Sequence, residues 1–124
     1  MADGDYLYDQ KALFGRYTTR VYKLLDAQTG AGAGVWVRAQ GAIAGKVTVS
    51  GLGTGGVTLY SHTRENPDTD PTDSDDHEAV GSEITSNGQF GIAVEDIGTD
   101  MKSDKTTAGG STATTVLLSL LFHQ

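Results

Sequence analysis

The residues best equipped for chemistry lie together between Arg64 and Glu78, RENPDTDPTDSDDHE, where Glu65, Asp68, Asp70, Asp73, Asp75, Asp76 and Glu78 put seven carboxylates into fifteen residues. A run of this kind could collect Ca²⁺, a hard cation that takes six to eight oxygen ligands. The spacing argues against it. Asp68 and Asp70 stand where an EF-hand places its first two ligands, but Thr72 follows where a third is needed, and Asp73 takes the place of the turn glycine. Both prolines fall in the same stretch, and like charges so close repel one another, so the segment reads as an exposed, solvated loop. The three histidines, His62, His77 and His123, have no partner at metal-ligand or nucleophile–base spacing. Serine-hydrolase signatures are absent. The glycine-rich run Asp26–Gly34 lacks the Gly-Lys-Ser/Thr ending and the strand–loop–helix setting of a phosphate loop and reads as a connector. No catalytic, metal-binding or cofactor-binding residue is expected, and the chain reads as a protein that is not an enzyme.

The elements that would position any site are β-strands. A chain of 124 residues supports one domain with a core of its own. Its 17 glycines, 37% hydrophobic content and lack of any sustained helical period point to an all-β fold rich in turns. With no cysteine, the fold must hold by burial and strand pairing alone. The longest apolar stretch, Val116–Phe122, is far short of the ~20 residues of a membrane helix. The N-terminal residues are acidic where a signal peptide would be basic, so no targeting segment is read. A net charge of −7 repels phosphate backbones, which excludes a generic nucleic-acid binder.

Residues 1–16 carry Tyr6, Leu7, Tyr8, Leu13 and Phe14 without a strand period, and read as an arm that packs on its own domain or docks on a neighbour. Residues 17–124 read as a single sandwich domain. Tyr17–Leu25 is rich in β-branched and aromatic residues. Three segments between Val35 and Thr63, VWVRAQ, KVTVSG and GVTLYSHT, alternate apolar and polar residues and read as an antiparallel meander, with Trp36 set to pack against the N-terminal segment. Asn87-Gly88 predicts a hairpin between 79–85 and 89–96. Residues 98–111 read as a polar loop. In the last strand, 112–122, Val116, Leu118, Leu120 and Phe122 form one apolar face while Leu117 and Leu121 form a second, which predicts a subunit seam. The count is about seven strands, closed as an antiparallel β-sandwich of jelly-roll or immunoglobulin-like type with an extended N-terminal arm.

The runs Thr29-Gly-Ala-Gly, Lys46-Val-Thr-Val-Ser-Gly, Val57-Thr-Leu-Tyr-Ser-His, Thr85-Ser-Asn-Gly-Gln-Phe and Thr114-Thr-Val-Leu-Leu-Ser-Leu together resemble the small β-sandwich structural proteins of tailed-bacteriophage virions, of the kind that decorate or cement capsids. The resemblance spans roughly residues 29–122. It implies a non-enzymatic component of the capsid surface that binds the major capsid protein, often as a symmetric homo-oligomer such as a trimer. Tyr6, Leu7, Tyr8, Leu13, Phe14, Leu117 and Leu121 are the residues expected at such interfaces. A receptor- or carbohydrate-binding module of a phage tail is the alternative, and it requires Trp36, Tyr60 and the acidic loop to share one exposed face.

Overall fold

The computed structural model describes residues 4–11, 16–64, 66, 78–109 and 112–123. Nine strands follow one another: β1 (Asp5–Lys11), β2 (Tyr17–Gln28), β3 (Val37–Arg38), β4 (Ala42–Ser50), β5 (Gly56–His62), β6 (Glu78–Ala79), β7 (Gly88–Ile92), β8 (Asp100–Thr107) and β9 (Thr114–His123). They form two antiparallel sheets, one of five strands in the order β1-β2-β9-β4-β7 and one of four in the order β3-β8-β5-β6. The all-β sandwich expected from the sequence is the fold observed.

The pairing is nested. β2 pairs with β9, β3 with β8, β4 with β7 and β5 with β6, each pair lying inside the last along the chain. The resulting long ribbon is wrapped so that β4 also lies against β9 and β5 against β8. This is the topology of a jelly roll, in which eight strands divide between two sheets; β1 adds a ninth at the edge. Of the two sandwich types left open by the sequence, the jelly roll is the one formed.

Nesting also explains where the sequence reading departs from the structure. From β2 to β5 each strand goes to the sheet opposite its predecessor's, so the segments at 35–63 do not pair as a meander: β3 and β5 lie in the four-stranded sheet and β4 in the five-stranded one. The Asn87-Gly88 hairpin does not form either. β7 pairs with β4, while Glu78–Ala79 pairs with β5 and Ile84 bridges to Val57. Asn87 serves instead as an acceptor, its side-chain oxygen taking the Leu52 amide at 2.9 Å. After Ile92 the chain makes a 3-10 turn over Val94–Asp96 in place of further strand. The stretch 98–111 contains β8, the strand between β3 and β5, where a loop was expected. Asp5–Lys11, within the expected arm, is a strand paired with β2, with its register shifted between Tyr6 and Tyr8.

The core lies between the sheets. Alternate residues of β9, Val116, Leu118 and Leu120, are buried against Leu24, Leu25, Val47 and Val49 from their own sheet and Val37, Val57, Leu59 and Met101 from the other. Each such side chain contributes roughly 1.5–3 kcal/mol by leaving water. Two glycines are fixed by geometry. Gly51, at φ +68°, turns β4 toward β5 and would place a Cβ 2.1 Å from the Ala113 carbonyl oxygen. Gly34 would place one 2.0 Å from the Ser103 carbonyl oxygen, so the connector before β3 can lie along β8 only without a side chain.

Gly34→Ala is therefore expected to lower stability by about 1–3 kcal/mol through overpacking. Gly30→Ala, where a Cβ meets nothing within 4 Å, should stay within about 0.5 kcal/mol of the parent. Urea denaturation of the two variants side by side measures the difference.

Candidate functional site

Two sheet faces point away from the core and carry the candidate functional residues. On the five-stranded sheet, the inward set of β9 leaves Leu117, Ser119 and Leu121 on the outer face, all half-buried. The register places Leu117 between Lys23 of β2 and Thr48 of β4, Ser119 between Val21 and Lys46, and Leu121 between Thr19 and Ala44. The row through Ser119 continues to Tyr8 on β1 and to Gly91 on β7. Tyr8 is 53% exposed, whereas Val21 beside it is only 5% exposed despite facing away from the core cluster. Lys23 is held by Asp26 at 3.2 Å. Lys46 is exposed and has no ion pair among the described residues.

Of the residues expected at partner contacts, Tyr8, Leu117 and Leu121 thus come together on one face. Tyr6 does not join them: it pairs with Tyr22 on the opposite side of β1, edge-on with ring centroids 6.0 Å apart. Desolvation, helped by the Asp9 carboxylate, pushes its phenol above the ordinary value. Leu7 sits at the irregularity between Tyr6 and Tyr8 and is half-buried. Leu13 and Phe14 lie outside the described residues, as do His77 and the aspartates from 68 to 76 on which the calcium reading turned. Among the described residues no group of three His, Cys, Asp or Glu is placed to hold a metal ion.

The outer face of the four-stranded sheet is aromatic and charged. Trp36 precedes β3, Lys102 is on β8 and Tyr60 is on β5 directly opposite Lys102, so the three form a row across the strands. The Lys102 ammonium stands 5.2 Å from the Trp36 ring centroid, 5.7 Å from that of Tyr60 and 3.3 Å from an Asp104 carboxylate oxygen. At 1% exposure this lysine is held by the protein and not offered to solvent. Cation–π contact strengthens as water is removed, up to about 2 kcal/mol for a desolvated pair. Trp36 packs against His62, with ring centroids 5.9 Å apart. The same Asp104 oxygen accepts the Gly34 amide at 2.9 Å, which ties the connector down at the point where the missing side chain lets it approach.

At one end of this face the Arg64 guanidinium grips Asp100 with two nitrogens, at 2.8 and 2.9 Å, while the Thr99 hydroxyl donates to the same carboxylate at 2.8 Å. This clasp fixes Arg64, two residues beyond the end of β5. At the other end the Thr106 and Thr107 hydroxyls donate to Glu83, holding its carboxyl below the usual range. On the inner side of β8, Lys105 is buried with its ammonium donating to three backbone carbonyls, Gln28 at 2.9 Å, Thr29 at 3.2 Å and Thr112 at 3.2 Å. It joins the connector after β2 to the one before β9. Sequence reasoning missed Asp100, Lys102, Asp104 and Lys105 because DMKSDK reads as polar loop. The one available signal is the period-2 spacing of Asp100, Lys102 and Asp104, which hydropathy does not mark.

Neither a scan against protein-family models nor a search of curated proteins returns a match to this chain.

Because Asp100 and Arg64 are both largely desolvated, Asp100→Ala should cost about 3 kcal/mol, the low end for breaking a buried pair. Replacing both partners, Arg64→Met with Asp100→Leu, should recover most of that loss. Chemical denaturation of the single and double variants tests it.

Proposed function

We propose that the protein is a non-catalytic structural module that works by docking the outer face of its five-stranded sheet on another protein, as a component of a virion surface. The observation that carries this reading is the pair Leu117 and Leu121, which stand on a face with no core duty while Val116, Leu118 and Leu120 of the same strand fill the sandwich. A strand whose two faces are both apolar is expected where both are covered. Tyr8, more than half exposed in the next row, enlarges the patch with a side chain enriched at interfaces. Jelly rolls serve as capsid and lectin domains alike, so the topology supports the virion reading by analogy alone. The resemblance to capsid-decorating sandwiches supplies the major capsid protein as the partner class. Changing both Leu117 and Leu121 to Thr should leave the melting temperature within a few degrees and weaken assembly or attachment about tenfold or more. Sedimentation at matched concentration, followed by particle binding, measures it; an unfolded variant, or unchanged binding by a folded one, goes against the proposal.

A second reading is favoured by one observation. Trp36 and Tyr60 share the outer face of the four-stranded sheet, two of the three features that carbohydrate or receptor recognition needs on one face, the third being the acidic loop, most of which lies outside the described residues. Trp36 is the chain's single tryptophan and both rings are half-buried, which leaves part of each surface open to stacking. Titrating oligosaccharides while following intrinsic tryptophan fluorescence tests this reading. A saturable change that Tyr60→Ala abolishes supports it, and a flat response across the panel rejects it.

A further inference from the structure

We infer that the partner of the five-stranded sheet's outer face is an acidic protein surface, with one of its carboxylates seated on Lys46 between apolar contacts to Leu117 and Leu121. This deepens the docking reading above and rests on it. The chain carries sixteen Asp and Glu against nine Lys and Arg, yet the paired positions of this face hold a carboxylate only at its corner. There Asp5 lies opposite Lys23 on β1, and Asp26 holds the Lys23 ammonium at 3.2 Å. The charge of Lys23 is thereby met within the chain.

Lys46 stands near the middle of the face, exposed and with no ion pair among the described residues. Its cross-strand neighbours are small: Ser119 on β9 and Gly91 on β7, where an added Cβ would meet nothing within 4 Å. The ammonium is therefore approachable, and Leu117 and Leu121 lie diagonally on either side of it, two residues from Ser119, at the separation where cross-strand diagonal side chains interact. A cation surrounded by neutral and apolar groups gains most from a partner that brings a carboxylate to it and covers the leucines at the same time. A second copy docked face to face does not do this. A two-fold contact sets Lys46 against the same neutral face, with carboxylates only at the corners. A nucleic acid supplies anions but meets a chain of net charge −7 and two leucines.

The test uses the full chain and, as probe, a synthetic amphipathic peptide of alternating leucine and glutamate, titrated calorimetrically near physiological salt. The peptide should bind, Lys46→Glu should weaken it about tenfold or more, and Lys46→Arg should retain it. Circular dichroism confirms that these exposed-site variants fold. Failure of the peptide to bind the parent, or equal binding by Lys46→Glu, overturns the inference. Sedimentation separates its failure from that of the docking reading. If the Leu117→Thr/Leu121→Thr variant loses self-association while Lys46→Glu keeps it, the face docks a second copy: the acidic partner is wrong and the docking face stands. If the double variant, folded, matches the parent in both measurements, the docking face falls too.

Discussion

The pairing of β9 with both β2 and β4 is the constraint on which the molecule depends. β9 comes last in the chain, and its partners lie in the first half, so the five-stranded sheet cannot close until segments separated by most of the sequence meet. Contacts of such long range carry a loop-closure cost that is met only when the apolar row of β9 is buried at the same moment. Val116, Leu118 and Leu120 supply that row. The same pairing commits Leu117 and Leu121 to the outer face, because a strand's alternation cannot be changed without moving every side chain to the other side. The second apolar face of β9 is thus a direct consequence of how the core is filled.

The four-stranded sheet reaches order by a different route. Its inner strand β8 buries Asp100, Lys102, Ser103 and Lys105, groups that oppose burial unless each is met by a partner. Arg64 and Thr99 meet Asp100, two rings and Asp104 meet Lys102, and three carbonyls meet Lys105. Ser103 is the exception, its buried hydroxyl having no hydrogen-bond partner among the described residues. Polar pairs of this kind add little net stability against apolar packing, but they leave few alternative arrangements for the strands they join.

These two routes explain what could be read from the residues in advance. The strands at 17–25, 46–50, 57–62 and 116–122 were legible from their β-branched, aromatic and apolar residues. β8 was not, because its burial depends on partners scattered from Gln28 to Thr112 that no local window contains. The Asn87-Gly88 signal misled for a related reason: the Asn87 side chain is used by Leu52, and β7 finds a better surface on β4. Tyr8, Leu117 and Leu121 were expected at contacts although Tyr8 is far from the two leucines in sequence; the register of β1, β2 and β9 brings them to one face. The parting of Tyr6 from Tyr8 follows from the irregularity at Leu7, because regular alternation would have kept the two on one face.

The proposed docking turns on which outer face a partner covers. Hydroxyl-radical footprinting of the free chain and of the same chain in its assembly reads this directly, since leucine, tyrosine and tryptophan all report. The account predicts strong protection of Leu117, Leu121 and Tyr8 on assembly, with Trp36 and Tyr60 unchanged. Protection of Trp36 and Tyr60 with the leucines as reactive as in the free chain would contradict it.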